Sequence, residues 1–231
     1  MDLTQLIISA TSPFLNAPRW LVAYSGGVDS HVLLRLLNAV PGRPLLEAIH
    51  INHQLQTSAN DWAQHCQQQT QRLDIPLHIV TVDIAEGKGS LEEKARQARY
   101  QAFASLMQQG DVLMMGHHLD DQVETLLLRL LRGSGARGSA AMPQVRELGS
   151  GQLSRPLLTS PRTAIENYAR AHQLQWVEDP TNQQSGYDRN FLRLELLPQL
   201  AQRWPEYRQT LSRAASLNAE AAQLNNELAE L

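Results

Sequence analysis

The sequence predicts an α/β protein built on a parallel, twisted sheet with helices on both faces, followed by a helical C-terminal segment. Short apolar runs alternate along the chain with longer stretches that carry apolar residues at helical spacing. Helices of about ten to fifteen residues between such strands imply right-handed crossovers and therefore parallel strands. Beyond Asp188 the pattern is helical throughout, and no glycine follows Gly186.

The first half of the chain contains four predicted strands and three predicted helices. Apolar runs predict strands at 20–24, 46–52, 77–83 and 112–117. Helical spacing of apolar residues predicts helices at 28–40, 61–73 and 91–107. Ser90 and Glu93 have the spacing of a capping box, which marks the start of the third helix.

The second half continues this alternation before it becomes helical. A helix is predicted at 121–132, a glycine-rich loop at 133–138 and a strand at 152–158. Ser160 as N-cap and Pro161 at the first helical position predict a further helix. We therefore expect one domain at 1–186, built on the sheet, and a helical extension or linker at 187–231.

Composition excludes several classes of protein. The 231 residues are enough to bury one full core and a smaller appendage. No apolar run approaches about 18 residues and no signal peptide opens the chain, so we expect a cytoplasmic protein without a membrane anchor. Cys66 is the single cysteine, which excludes a disulfide framework and a CxxC pair.

The net charge of −3 is unevenly distributed. Residues 1–128 carry 8 basic and 13 acidic side chains, and residues 171–231 carry 5 and 8. Residues 129–170, between these two stretches, form a basic block. It is either a surface that contacts phosphates or a set of solvated arginines. It contains two glutamates and seven arginines, namely Arg129, Arg132, Arg137, Arg146, Arg155, Arg162 and Arg170.

The stretch SGGVDS, Ser25–Ser30, joins the first predicted strand to the first predicted helix. Gly26 and Gly27 allow a ligand to approach the backbone, and a helix start presents free N–H groups to an anion. Asp29 places a carboxylate beside that expected phosphate, which a bridging Mg²⁺ would explain. The alternative is that Asp29 only caps the helix. No lysine follows the glycines, so the loop is not a Walker A motif.

Three candidate motifs fall at the carboxyl ends of predicted strands, where sheets of this kind bind ligands. The first is the Ser25–Ser30 loop after the first strand. His50 and His53 lie at the end of the second strand, and residues 117–124 follow the fourth. This convergence favours a binding site at one edge of the sheet.

SGGVDS after a first strand resembles the PP-loop, SGGxDS, of the ATP pyrophosphatase superfamily. The resemblance implies a Rossmann-like fold that binds ATP at the loop. It also implies transfer of AMP to an oxygen atom of the substrate, with release of pyrophosphate.

Four further stretches resemble motifs of one family in that superfamily, the tRNA(Ile)-lysidine synthetases. They are EEKARQARY at 92–100, GHHLDDQVET at 116–125, RGSGARG at 132–138 and YDRNFLR at 187–193. The resemblance implies a ligase that uses ATP to adenylate the C2 oxygen of the wobble cytidine in an isoleucine tRNA with a CAU anticodon. The ε-amine of free L-lysine then displaces AMP and forms the C–N bond of lysidine.

The resemblance also implies roles for individual residues, with 1–186 as the nucleotide-binding catalytic domain. Asp29, Asp121 and Glu124 would be catalytic, and Asp29 would bind Mg²⁺. Asp121 and Glu124, at i and i+3 on one helix face, would hold the lysine. Arg96 either neutralises phosphate charge or pairs with Glu92, and we favour the first role. ATP would contact Ser25, Gly26, Gly27, Val28, Asp29, Ser30, Arg96 and His117; tRNA would contact Arg132, Arg137, Arg189 and Arg193.

The sequence is also compatible with other interpretations. Zinc binding by His117 and His118 is disfavoured because no third ligand is evident, and cytidine thiolation is disfavoured because the chain has no CxxC pair. Another AMP-transferring enzyme or a non-catalytic ATP-binding module would also use the loop. The family usually has glycine where this chain has Gln54. It also carries further C-terminal tRNA-binding domains, so the chain is either a fragment or a minimal form, and we favour a fragment. A homodimer and the role of Arg99 are open.

Overall fold

The computed structural model describes residues 2–54, 58–83, 91–183 and 186–229. Packing divides the chain into two compact units, each assembled from separate stretches of sequence. Unit 1 comprises Met1–Gly116, Val145–Leu157 and Thr163–Val177. Unit 2 comprises His117–Gln144, Leu158–Arg162 and Glu178–Leu231. The domain boundary expected after residue 186 stays a prediction.

The elements follow the predicted alternation of strands and helices. The first are α1 (Leu3–Thr11), a 3₁₀ turn (Ser12–Phe14), β1 (Arg19–Ala23), α2 (Val28–Asn38), β2 (Leu45–Asn52), α3 (Ala59–Arg72), β3 (Leu77–Thr81), α4 (Leu91–Leu106) and β4 (Val112–Met114). Then come α5 (Leu119–Leu131), α6 (Ala136–Ser139), β5 (Val145–Leu148), β6 (Gly151–Ser154), α7 (Arg162–Ala171) and a 3₁₀ turn (Pro180–Gln183). The last are α8 (Asp188–Phe191), a π-helical turn (Leu192–Leu196), α9 (Leu197–Arg203) and α10 (Tyr207–Ala229).

Unit 1 confirms the predicted fold class. Its six strands form one sheet in the order β3-β2-β1-β4-β6-β5, and all neighbours are parallel except β5 and β6. Residues of β1 alternate between two cores: Trp20 and Val22 pack with α2 and α7, and Leu21 packs with Phe103 of α4. Helices therefore cover both faces of the sheet, which explains why its central strands are apolar throughout.

The helix α1 and the strand β5 are elements that the sequence analysis did not predict. In α1, Leu3 and Ile7 are buried in the same core as Trp20. The strand β5 forms a hairpin with β6, and its turn contains Gly149 at φ +56°. Only glycine adopts that backbone conformation without strain. The turn makes the edge of the sheet antiparallel, because a two-residue connection can join only antiparallel strands.

Several predicted boundaries differ from the structure. The helix expected at 121–132 begins at Leu119, and the expected 133–138 loop contains the start of α6. The helix expected to begin at Pro161 begins at Arg162. The C-terminal segment is interrupted between α9 and α10, where Trp204 has a non-helical backbone with φ −130° and ψ 82°. The interruption follows from Pro205, because a proline disfavours helical geometry at the residue before it. The capping box at Ser90 lies outside the described residues.

Unit 2 is helical and has small cores of its own. Val123 of α5 packs with Leu197 of α9 and Tyr207 of α10. Leu126, on the same face of α5, packs with Ala215 of α10. Within the described parts of the chain, no helix combines the length and the apolar character needed to cross a membrane.

Candidate functional site

The loop between β1 and α2 lies in unit 1 and depends on the first of its two glycines. Gly26 has φ +84°, and a Cβ atom at this position would lie 2.9 Å from the sulfur of Cys66. Both the backbone conformation and the close approach therefore require glycine. Gly27 is the N-cap of α2 and has extended geometry, with φ −73°.

The two serines of the loop hold its shape by hydrogen bonds to each other and to the backbone. The Ser25 and Ser30 hydroxyl oxygens are 3.1 Å apart. The Ser25 N–H donates to Ser30 Oγ (3.2 Å), and the Ser30 hydroxyl donates to the Gly27 carbonyl (3.0 Å). The Gly27 N–H donates to Ser25 Oγ (3.3 Å). The loop is thus ordered by its own groups at the start of α2, which is a geometry suited to anions.

The chain after β4 packs directly against this loop. Asp29 stands half-buried in the first turn of α2, next to the buried Val28 and Ser30. A Cβ atom on Gly116 would lie 3.0 Å from the backbone carbon and oxygen of Asp29 and 3.2 Å from the Ser30 nitrogen. The glycine that opens the GHHLDDQVET stretch therefore lets the two backbones approach.

Gly116→Ala is expected to lower the free energy of unfolding by about 1–3 kcal/mol, because the added methyl group meets backbone that cannot rotate away. Gly135→Ala is the matched control, since a Cβ atom there meets nothing within 4 Å. Denaturant unfolding of both variants tests the difference. Equal stabilities would contradict the close packing on Asp29.

Two buried histidines of unit 1 contact Tyr24, the residue that directly precedes the loop. The Tyr24 hydroxyl is 2.9 Å from His31 Nδ1, and His50 Nδ1 is 3.0 Å from the Tyr24 carbonyl and 3.4 Å from the Cys66 sulfur. Burial lowers the pKa of His31 to about 4 and lowers those of His50 and His53, and it raises the pKa of Cys66 to about 12. These groups are therefore neutral in the folded protein at pH 7, and Cys66 is an unreactive thiol.

The low pKa of His31 predicts acid sensitivity. A histidine with a depressed folded pKa contributes stability above its unfolded pKa of about 6.5, and this is lost as pH falls towards 4. The free energy of unfolding at pH 5 should be about 2 kcal/mol lower than at pH 7 because of this group. His31→Gln should remove most of that loss, and His172→Gln, which changes an exposed histidine, should not. Unfolding curves at the two pH values test this, and identical pH dependence in all three proteins would refute it.

Gln54 follows the second strand at the position where the resemblance leads one to expect glycine. Its backbone has φ +53°, in the left-handed region that glycine favours, and its N–H donates to Asn52 Oδ1 (3.0 Å). The backbone here thus has a conformation that glycine would also adopt, and glutamine accommodates it at some cost in strain.

The predicted carboxylates lie in unit 2, at the start of α5. His118 is the N-cap of this helix: its Nδ1 accepts from the Asp121 N–H (3.3 Å), and its own N–H donates to Asp121 Oδ2 (3.1 Å). Burial alone would raise the pKa of Asp121, but His118, His117 and Arg189 outweigh it and hold this pKa below its usual value. Asp121 is thus an ionised member of a capping box.

Glu124, one turn further along α5, is fully buried and ion-paired. Arg193 donates through Nε to Oε1 (2.8 Å) and through Nη2 to Oε2 (2.9 Å). Arg189 Nε is 3.6 Å from Oε2, and Arg193 Nη2 is 3.5 Å from Asp121 Oδ1. Burial raises the pKa of Glu124, and Arg193 offsets this only in part. Two arginines predicted to contact tRNA therefore hold a carboxylate predicted to contact lysine.

The other predicted arginines have different surroundings. Arg132 is exposed and lies 3.4 Å from the exposed Asp188. Arg137 is exposed on α6. Arg96 lies over the ring of Tyr100, 5.7 Å from its centroid. His117 is half-buried in unit 2. Arg129, which belongs to the basic block at 129–170, stabilises the segment that follows α5. Its Nη1 donates to the carbonyls of Gly138 (3.0 Å) and Ala141 (2.7 Å).

Some site contacts could not be predicted from the motifs. The bond of Arg193 to Glu124 joins residues 69 positions apart, and Arg208 in α10 pairs with Asp120 over 88 positions. No local pattern signals such pairs, although both arginines lie on helical stretches that the sequence predicts. Among the described residues, no three His, Cys, Asp or Glu side chains are grouped as a metal site.

Residues 2–200 match the PP-loop domain. The chain belongs to the PP-loop family. The loop at Ser25–Ser30 is thus a PP-loop by sequence and carries the shape described above.

Curated PP-loop relatives named tRNA(Ile)-lysidine synthase are similar to the whole chain. One from Pseudomonas aeruginosa is 48% identical over 100% of this chain and 53% of its own length. One from Pseudomonas putida is 50% identical over 95% of this chain and 52% of its own length. The chain therefore spans about half the length of the curated relatives it matches.

A solved structure has the same fold at low sequence identity. The U34-tRNA thiolase of Methanococcus maripaludis, solved with its [4Fe-4S] cluster, superposes with a TM-score of 0.78 at 17% identity. The match covers 94% of this chain and 78% of that protein. This likeness supports the assigned fold.

Proposed function

We propose that this chain is the catalytic part of a tRNA(Ile)-lysidine synthetase. The proposal rests on one observation above others: 45–50% identity to proteins named tRNA(Ile)-lysidine synthase over 92–100% of the chain. The reaction would adenylate the C2 oxygen of the wobble cytidine in an isoleucine tRNA with a CAU anticodon. The ε-amine of L-lysine would then displace AMP.

In this proposal the PP-loop holds the ATP phosphates. Gly26 lets the loop pack closely against Cys66 with φ +84°, and the start of α2 supplies backbone N–H groups of the kind that bind anions at a helix N-terminus. Because Ser25 and Ser30 already fix the loop by their mutual hydrogen bonds, the loop loses little conformational entropy when ATP binds. The loop thus acts mainly by orienting the α-phosphate for attack.

The residues fit a magnesium ion that arrives with ATP. Asp29 supplies a carboxylate in the first turn of α2, and Mg²⁺ is commonly held by one or two carboxylates together with substrate phosphates. When bound, the ion would neutralise charge on the phosphates during AMP transfer. Asp29 would hold it in place, and the positive end of the α2 dipole would add to the same stabilisation.

Lysine capture is assigned to Asp121 and Glu124. Asp121 is ionised and its side chain is 13% exposed, so it can pair with an ammonium group of the incoming lysine. The attacking amine must lose a proton, and the raised pKa of Glu124 moves that group towards the range of a general base. Arg193 keeps the Glu124 carboxylate in one orientation. The exposed Arg132 and Arg137 remain available for tRNA phosphates.

The direct test incubates the full chain with ATP, Mg²⁺, L-lysine and an isoleucine tRNA transcript with a CAU anticodon. Digestion of the tRNA and mass analysis of its nucleosides should detect lysidine, and AMP and pyrophosphate should accumulate. A methionine tRNA transcript with the same anticodon is the control. ATP binding without any AMP formation would instead indicate a non-catalytic ATP-binding module.

Asp121→Asn is expected to separate the two chemical steps. Losing the charge should raise the KM for lysine about tenfold or more, so that adenylated tRNA accumulates while AMP transfer continues. Asp120→Asn is the control, because this neighbouring carboxylate is engaged by Arg208 and by the Arg162 N–H. Quantifying adenylated tRNA and lysidine over a lysine titration tests the difference. Reduced ATP consumption with an unchanged KM for lysine would place Asp121 at the nucleotide step.

A further inference from the structure

Three arginines of unit 1 converge on one tyrosine. The guanidinium carbon of Arg146, in β5, lies 5.0 Å from the centroid of the Tyr100 ring, and that of Arg96, one helical turn before Tyr100 in α4, lies 5.7 Å from it. Arg155, the residue that follows β6, interacts electrostatically with the Tyr100 side chain. We name these four residues the arginine cluster.

The arginine cluster concentrates positive charge in a partly buried place. Arg155 is only 3% exposed. Burial, together with repulsion from Arg146 and Arg96, lowers the pKa of Arg155. Burial would raise the pKa of Tyr100, but Arg155, Arg146 and Arg96 outweigh it and lower that pKa. The electric field of the three arginines thus favours negative charge at the Tyr100 hydroxyl. An anion that binds there would also relieve the repulsion between the arginines.

The arginine cluster lies at the same edge of the sheet as the PP-loop. The Tyr100 hydroxyl donates to the sulfur of Met115 (3.7 Å), and the next residue, Gly116, packs on the backbone of Asp29. The Met115 N–H donates to the carbonyl of Ser154, which directly precedes Arg155 (3.0 Å). Met115 and Arg155 thus directly follow the carboxyl ends of β4 and β6, and Arg146 lies beside Leu153 near the end of β6, at the edge of the sheet where folds of this class bind ligands.

We propose that Arg96, Arg146 and Arg155, arranged around Tyr100, form a second phosphate-binding site beside the PP-loop. Guanidinium groups bind phosphate through paired N–H donors and keep their charge when partly buried. Tyr100 contacts Arg96 and Arg146 by cation–π geometry and interacts electrostatically with Arg155. The phosphate comes either from the ATP triphosphate or from the RNA backbone. The existence of the site is argued from the positions of these side chains. The choice between ATP and RNA as the source of the phosphate rests on the proposed function.

The test measures binding, so it does not depend on turnover. Arg146→Gln removes one charge, Arg146→Lys keeps the charge without the fork, and Tyr100→Phe keeps the ring without the hydroxyl. Arg170→Gln is the control, because Arg170 is an exposed arginine of the same unit paired with Glu166. Calorimetric titration with MgATP is one arm. Binding of labelled isoleucine tRNA transcript at several salt concentrations is the other.

Arg146→Gln should weaken binding about tenfold or more in one of the arms, and Arg146→Lys should restore part of it. Weaker MgATP binding assigns the site to the triphosphate. Weaker tRNA binding, with a salt slope reduced by about 0.7–0.9, assigns it to the RNA backbone. The proposal is overturned if Arg146→Gln matches Arg170→Gln in both arms, whether or not its melting temperature falls. Absence of lysidine formation would refute the proposed function and leave these binding results unaffected.

Discussion

Asp29→Asn is expected to slow AMP transfer to tRNA by about 100-fold or more, with little change in the melting temperature. Asparagine has the same shape and can still accept a hydrogen bond at the start of α2. It loses the charge that would hold Mg²⁺ against the ATP phosphates. The expected effect is large because preorganised charge at a phosphoryl-transfer site acts mainly on the transition state.

The control for this experiment is Asp61→Asn. Asp61 also stands in the first turn of a helix, α3, but it is exposed. Both variants lose the same stabilising contact of an acidic group with the helix dipole, worth about 0.3–1 kcal/mol. Pyrophosphate release should be measured for both over a Mg²⁺ titration. If Asp29→Asn released pyrophosphate at the rate of the unaltered chain at matched Mg²⁺, Asp29 would be only a helix cap.

The elements of the sheet could be predicted because their signals are local. Trp20, Leu21 and Val22 are buried on both faces, so the strand appears as an unbroken apolar run. The loop Ser25–Ser30 could be found for the same reason, since its glycines, serines and aspartate are consecutive. The role of Gly116 could not be predicted. A side chain is excluded at this position because the backbone of Asp29, which is distant in sequence, lies too close.

The elements and contacts that the sequence did not predict depend on distant partners. The strand β5 alternates between exposed and half-buried residues over four positions only, and it exists because β6 offers a partner. Arg146, within this strand, contacts the ring of Tyr100, which lies 46 positions earlier in the sequence, so the contact could not be predicted from the local pattern. The same is true of Arg193, which the motif suggests for tRNA and which contacts Glu124 in the folded unit.

Arg193→Gln is expected to be the most destabilising of the substitutions considered. It leaves the Glu124 carboxylate fully buried, and the cation that stays near it among the described residues is Arg189, with Nε 3.6 Å from Oε2. Removing one partner of a buried ion pair costs about 3–5 kcal/mol, because the remaining charge is neither hydrated nor neutralised. Arg132→Gln is the matched control. Arg132 and Asp188 have side chains that are 68% and 75% exposed, and such pairs contribute about 0–1 kcal/mol.

Two further measurements separate a buried-charge effect from a simple loss of packing. The double variant Glu124→Gln/Arg193→Gln should regain part of the lost stability, because it removes the unpaired charge as well. The cost of Arg193→Gln should also shrink as pH falls, since the pKa of Glu124 is already raised by burial and a protonated carboxyl needs no cation. Unfolding of the four proteins at pH 7 and pH 5 tests both points. If Arg193→Gln and Arg132→Gln were equally stable while tRNA affinity fell only in the first, Arg193 would serve RNA binding and not the burial of Glu124.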